Sequence, residues 1–257
     1  MKEALSLEKL KSSWKLEEEK GFEGWDFSGL DGRMVEEPLP WDYKQAVLAL
    51  IGEETVMLDM GTGGGEFLLS LNPPQGRTYA TEAYLPNFEL CRKKLPQYGI
   101  DVRLVHDDND LPFEDGMFDL IINRHESFSA GEVLRLLKPG GVFVTQQVGG
   151  QNNRELSRLL LGDDRMVTDA AFDLHRTAEL LEDAGFIVTE RREYYPELRF
   201  YDIGALVRFA KIIEWEFPDF SVDRCFEPLC RLQEQLAERG YVASREHRFF
   251  IAANKGV

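Results

Sequence analysis

Along the chain, compact apolar runs alternate with stretches whose apolar positions recur every three or four residues. Residues 55–60 form one such run, the mark of a strand buried on both faces, and the spacing over 66–71 predicts a helix after it. The same order continues with strands over 78–82, 102–106, 118–123 and 142–148, and with helices over about 87–95 and 129–137. The second of these helices is closed by Lys138-Pro139-Gly140-Gly141, where proline cannot continue a helix and glycine accepts the turn. Strand following helix in regular order predicts a parallel sheet with helices on both faces.

Outside this block the rhythm changes. The first 37 residues are charged, with helical spacing at Leu7, Leu10 and Trp14, and read as a cap or lid. Pro38 and Pro40 introduce a helical pattern over 41–51 that Gly52 stops. A polar segment over 149–169 precedes a helix over 173–184 and a sixth strand over 186–193. The last strand is expected at 247–253, after a helical insertion at about 196–245 that carries patterns over 203–215 and 222–239 and reads as a substrate cover. The expected architecture is α/β. It is a Rossmann-like, seven-stranded, mostly parallel sheet in a domain over 41–257, with an N-terminal helical cap over 1–40 and the insertion before the last strand.

Charge narrows the partners. Among 257 residues, 46 Asp and Glu oppose 30 Lys and Arg, a formal net charge of −16. Nucleic-acid binding rests on cations that neutralise phosphates, so this balance argues against a polyanionic partner. Apolar residues at 43% are enough for a sizeable core, but the longest apolar runs, 46–51 and 249–253, fall far short of the roughly 20 residues that cross a bilayer. The first residues are charged and lack a secretory apolar stretch. Cys91, Cys225 and Cys230 lie in no metal-ligand or disulfide spacing. The expectation is a cytoplasmic protein with no membrane segment and no metal site.

The chemistry concentrates after the first strand of the sheet, in Val56-Met57-Leu58-Asp59-Met60-Gly61-Thr62-Gly63-Gly64-Gly65-Glu66-Phe67. A buried strand that runs into a glycine-rich turn lets the backbone approach a ligand where a Cβ would clash. Asp59 stands where a carboxylate would repel a pyrophosphate, and Glu66 occupies the position at which a dinucleotide loop needs Gly or Ala. A nicotinamide cofactor is therefore disfavoured and a cationic guest favoured. Glu82, 21 residues after Gly61, ends the next strand, where it could accept from both hydroxyls of a ribose. Asp107-Asp108-Asn109-Asp110 follows the third strand, inside a stretch over 101–119 in which seven carboxylates meet one arginine, Arg103.

These segments, with Leu136-Leu137-Lys138-Pro139-Gly140-Gly141-Val142-Phe143-Val144, resemble the class I S-adenosylmethionine-dependent methyltransferases, specifically the group of small-molecule enzymes. The resemblance covers residues 41 to about 193 in order and spacing, plus the last strand. It implies that the cofactor is S-adenosyl-L-methionine, with Asp59 facing its ammonium and Gly61, Thr62, Gly63 and Gly65 wrapping its methionine part. Glu82 would hold the ribose, Ala83 and Tyr84 would line the adenine pocket, and Asp107 and Asp108 would meet the adenine amino edge. Asn123 would lie under the methionine moiety, and Trp41 precedes the helix that folds over this site in relatives. Asp119, opening the fourth strand, reads as structural.

The acceptor is less constrained. Methyl transfer from a sulfonium needs alignment and exclusion of water, and needs a general base only if the acceptor arrives protonated. The loop after the fourth strand, Asn123-Arg124-His125-Glu126-Ser127-Phe128, offers His125 as a candidate base, with a backbone-bonded helix-entry histidine as the alternative. Arg124, Arg199 and Arg208 could bind an anionic acceptor. Trp25, Phe27, Trp41, Tyr43, Tyr194, Tyr195, Phe200, Tyr201, Phe209 and Trp215 could wall an apolar pocket. The expected reaction is methylation of a small molecule. A non-catalytic protein that binds this cofactor or its product, an RNA methyltransferase and a nicotinamide oxidoreductase stand as alternatives.

Overall fold

A computed structural model describes residues 2–21 and 27–256, so Trp25 lies outside the described residues. Helix α1 (Lys2–Glu18) and strand β1 (Met34–Glu36) come first, then α2 (Tyr43–Leu48), β2 (Met57–Met60), α3 (Glu66–Ser70), β3 (Thr78–Glu82), α4 (Leu85–Lys94) and β4 (Ile100–Leu104). The chain continues through β5 (Phe118–Arg124), α5 (Ala130–Leu136), β6 (Leu137–Val148), α6 (Arg154–Leu161), α7 (Leu174–Ala184) and β7 (Phe186–Tyr194). It ends with β8 (Glu197–Phe200), α8 (Ile203–Ile212), α9 (Phe226–Arg239), β9 (Val242–Arg245) and β10 (Arg248–Lys255).

These elements form two compact units. One comprises Pro40–Val148, Asp173–Glu193 and Arg248–Val257, and the other Met1–Leu39, Gly149–Phe172 and Tyr194–His247. The first holds a seven-stranded sheet in the order β4-β3-β2-β5-β6-β10-β7. Strands β4, β3, β2, β5 and β6 run parallel to one another, and β10 lies antiparallel to β6. Met57, Leu58, Leu120, Ile121 and Ile122 have almost no exposed surface, which is why β2 and β5 read as continuous apolar runs. From β2 the chain winds outward to β3 and β4, then crosses back to β5 on the other side of β2. That reversal opens a crevice at the carboxyl ends of β2 and β5, the position at which open α/β sheets bind ligands.

The second unit contains a small sheet, β1-β8-β9, whose strands have three or four residues each and pair antiparallel. Trp14 of α1, Phe200 of β8, Leu206 and Phe209 of α8 and Leu229 of α9 share its core. Three details depart from the sequence reading. Strand β6 runs through Lys138-Pro139-Gly140-Gly141, with a register shift against β5 between Phe118 and Leu120. Strand β4 begins at Ile100, two residues before the expected start. The polar segment over 149–169 contains α6, whose Arg154 is buried because its guanidinium bonds the Gly150 and Thr168 carbonyls and the Asp164 carboxylate.

Candidate functional site

The site is assembled where β2 and β3 end. Asp59 pairs with Ala80 of β3 and Ile122 of β5 in the sheet register, so its side chain emerges at the switch point. It is 4% exposed. Burial is the main force on its carboxyl, Glu82 adds repulsion, and the Thr62 hydroxyl and Arg124 offset them in part; the pKa is pushed up to about 7. Thr62 Oγ1 is enclosed beside that carboxyl. The Thr62 backbone N–H donates to the Thr81 carbonyl at 2.9 Å, which holds the loop against β3.

The glycine turn has a specific shape. Gly61, Gly63 and Gly65 all take positive φ, at 66°, 61° and 78°. A Cβ on Gly61 would fall 2.5 Å from Glu126 Cγ, so the side chain of Glu126 lies directly against the loop. A Cβ on Gly63 would meet no atom within 4 Å, which leaves that face of the backbone open to a ligand. The Gly63 N–H donates to Glu82 Oε2 and the Tyr84 N–H to Glu82 Oε1, each at 2.8 Å. Two backbone donors therefore fix a nearly buried carboxylate while each oxygen keeps a further lone pair.

The other expected residues divide by environment. Ala83 and Tyr84 are exposed just beyond β3. Asp107 is exposed and turns back on Asn109, accepting from its backbone and side-chain nitrogens at 2.9 Å, which holds its carboxyl below the usual range. Asp108 accepts the Ser127 hydroxyl at 2.6 Å. Asn123 is fully enclosed: its Oδ1 accepts from Thr145 Oγ1 at 2.9 Å and from Gln147 Nε2 at 2.6 Å. Its side chain braces β5 to β6 instead of reaching the open face of the loop. Asp119 accepts the Val56 N–H and the Lys138 ammonium, a link at the start of β5.

Trp41 donates Nε1–H to Gln146 Oε1 at 2.8 Å and packs against Phe250. Tyr43 is a core residue, its hydroxyl 3.0 Å from the Asn123 carbonyl, and does not wall a pocket. Arg124 stacks over the Phe67 ring at 4.3 Å. His125 has a left-handed backbone, φ 62°, and its Nε2 lies 3.2 Å from Gln146 Nε2. The protein mass around the ring, then Arg248 and Arg124, lower its pKa from the ordinary histidine value, although the residue retains exposed surface. Glu126, next to His125 in the loop after β5, is a site residue to which the sequence pattern assigns no role. Its carboxyl is raised by burial and by the nearby Glu82 and Asp108, so it belongs to the same acidic rim as Asp59. Its approach to Gly61 joins two loops far apart in sequence and leaves no local pattern.

A family model described as a methyltransferase domain matches residues 58–145, the span from β2 through most of β6. Over that span the chain carries a methyltransferase domain. Solved structures share the fold. A candidate methyltransferase of Bacillus halodurans matches at TM-score 0.58 and 16% identity, over 84% of this chain and 99% of that one. The YcgJ protein of Bacillus subtilis matches at 0.59 and 17%, over 84% and 98%. Phosphoethanolamine N-methyltransferase 2 of Haemonchus contortus, in complex with phosphomonomethylethanolamine and S-adenosylhomocysteine, matches at 0.51 and 17%, over 86% and 54%. No curated protein matches the sequence significantly. Among the described residues, no group of three His, Cys, Asp or Glu could hold a metal ion, and no helix is long and apolar enough to cross a membrane.

Proposed function

We propose that this methyltransferase uses S-adenosyl-L-methionine to methylate a small-molecule acceptor. The observation that carries the cofactor assignment is Asp59, a buried carboxyl at the switch point whose charge is opposed by burial and by Glu82, beside the enclosed Thr62 hydroxyl. A ligand bearing an ammonium and hydrogen-bonding groups fits that donor and acceptor set. An anionic pyrophosphate would add to the repulsion.

When bound, the cofactor supplies a methyl group already activated on a sulfonium, and the electron pair of the breaking C–S bond stays on sulfur. The chain's own residues bind and orient. Asp59 would hold the ammonium, the open face at Gly63 would admit the methionine part beside Gly61, Thr62 and Gly65, and Glu82 would accept from the ribose hydroxyls. Ala83 and Tyr84 would flank the adenine, with Asp107 and Asp108 at its polar edge. Trp41 stays with this group through its bond to Gln146 on β6.

A small acceptor is favoured over a nucleic acid by the net charge of −16. The Haemonchus enzyme, solved with a small phosphorylated amine, supports the same class. A cytoplasmic setting is consistent with Cys91, Cys225 and Cys230 all being free thiols. The test is transfer of labelled methyl from S-adenosylmethionine across a panel of amines, carboxylates, phenols and thiols, with an RNA mixture alongside. Turnover on a small molecule is expected, and turnover on RNA alone would overturn the acceptor class.

A further inference from the structure

Trp41, Gln146 and His125 form a one-way chain of hydrogen bonds. An indole N–H can only donate, and Trp41 Nε1 gives its proton to Gln146 Oε1 at 2.8 Å. The opposite end of that amide is therefore its NH2 group, which lies 3.2 Å from His125 Nε2. An amide NH2 only donates, so Nε2 must accept, and a neutral ring that accepts at Nε2 carries its proton on Nδ1. The ring is held in place by backbone as well. The His125 N–H donates to the Gln146 carbonyl at 2.8 Å, and φ is 62°, a region that non-glycine residues enter mainly when the surroundings impose it. Nδ1 has no hydrogen-bond partner among the described residues, and the side chain retains exposed surface.

The groups facing the ring agree. Gln146 comes from β6, Arg124 from β5 and Arg248 from β10, and both guanidinium groups disfavour a second proton on the imidazole, as does the protein around it. We propose that His125 is a neutral hydrogen-bond donor through Nδ1–H, a positioning residue that grips an oxygen or unprotonated nitrogen of the methyl acceptor and does not remove a proton from it. The identity of the gripped ligand rests on the methyl-transfer reading; the state of the ring does not. The nucleophilic atom then reaches the methyl group with its lone pair available without help from His125.

The test is nitrogen-15 NMR of the full chain with labelled histidine, with His125 assigned among the four histidines by its loss in His125→Asn. The expected result is a neutral Nδ1–H ring from about pH 5.5 to about pH 8.5. An Nε2–H ring, or protonation near pH 6.5, would overturn the proposal. In Gln146→Leu the lock on Nε2 is gone, so a mixture of tautomers is expected, and an unchanged ring would overturn the relay. On the acceptor found by the methyl-transfer panel, His125→Asn keeps a donor close to the place of Nδ1 and should retain kcat/KM within about threefold. His125→Gln moves the donor and should lose about tenfold or more. Equal losses in the two would overturn the positioning role. If the wild-type chain binds no S-adenosylmethionine, the methyl-transfer reading fails while the NMR result still decides the state of the ring.

Discussion

The backbone N–H of Gly63 donates to Glu82 Oε2 at 2.8 Å, tying the turn after β2 to the last residue of β3. One carboxylate thus shapes the loop and, in the proposed site, would face the ligand. The Gly63 N–H points to Glu82, and the absence of a Cβ keeps the same stretch of backbone approachable.

Replacing Glu82 by Gln keeps one oxygen acceptor for these backbone donors but loses the charge and one acceptor. Titration calorimetry should show S-adenosylmethionine binding at least tenfold weaker, about 1.4 kcal/mol. An affinity equal to wild type would remove Glu82 from the site.

Gly61 and Gly63 should respond differently to alanine. Both substitutions force a left-handed residue, at a cost of about 1–2 kcal/mol, but only at Gly61 does the new Cβ collide, with Glu126. Thermal unfolding should therefore show the larger loss of stability for Gly61→Ala. Gly63→Ala should lose only the about 1–2 kcal/mol of the left-handed backbone while cofactor affinity drops about tenfold or more. The reverse ranking in the two assays would contradict the open face assigned to Gly63.

Asn123 is better explained as a brace than as a ligand-binding side chain. Asn123→Ala leaves the enclosed hydroxyl of Thr145 and amide of Gln147 without their shared acceptor, and should cost about 1–3 kcal/mol of stability in denaturant unfolding. Cofactor affinity at a temperature where the variant is folded should change by less than about threefold. A tenfold loss with unchanged stability would restore Asn123 to the binding set.

Asp59 couples stability to pH. Its pKa of about 7 in the folded chain lies above the ordinary carboxyl value, so the folded state holds a proton that the unfolded state has released. Without ligand, this group makes the protein less stable as pH rises from about 4 to about 7, and the full penalty persists above that range. Asp59→Asn removes the ionisation, so its melting temperature should exceed that of wild type at about pH 8, with the difference shrinking toward about pH 5. A variant that melts lower at both values would show that the carboxylate is stabilising, contrary to this account.

Much of this arrangement was legible in the sequence because it depends on local order. Strand β3 falls on the expected residues 78–82, and the turn over 61–65 is where the glycines stand. What escaped depends on pairing at a distance. Strands β1, β8 and β9 are too short to show a period and are defined by partners from opposite ends of the chain. Helix α6 was hidden because Arg154 counts as polar until its three partners are known. Glu126 and the orientation of the His125 ring follow from single contacts, with Gly61 and with Gln146, that no spacing rule encodes.

In the proposed site, the acidic, glycine-lined switch point binds S-adenosylmethionine through Asp59. The most direct measurement is calorimetric titration of wild type and Asp59→Asn with S-adenosylmethionine, with S-adenosylhomocysteine as a second ligand. Saturable binding to wild type is expected, with proton release below about pH 7 as the ligand's ammonium draws Asp59 into its charged form. Binding to Asp59→Asn should be about tenfold weaker or more and free of that proton release. Failure of wild type to bind either ligand, or equal affinity in the two proteins, would contradict the proposed site.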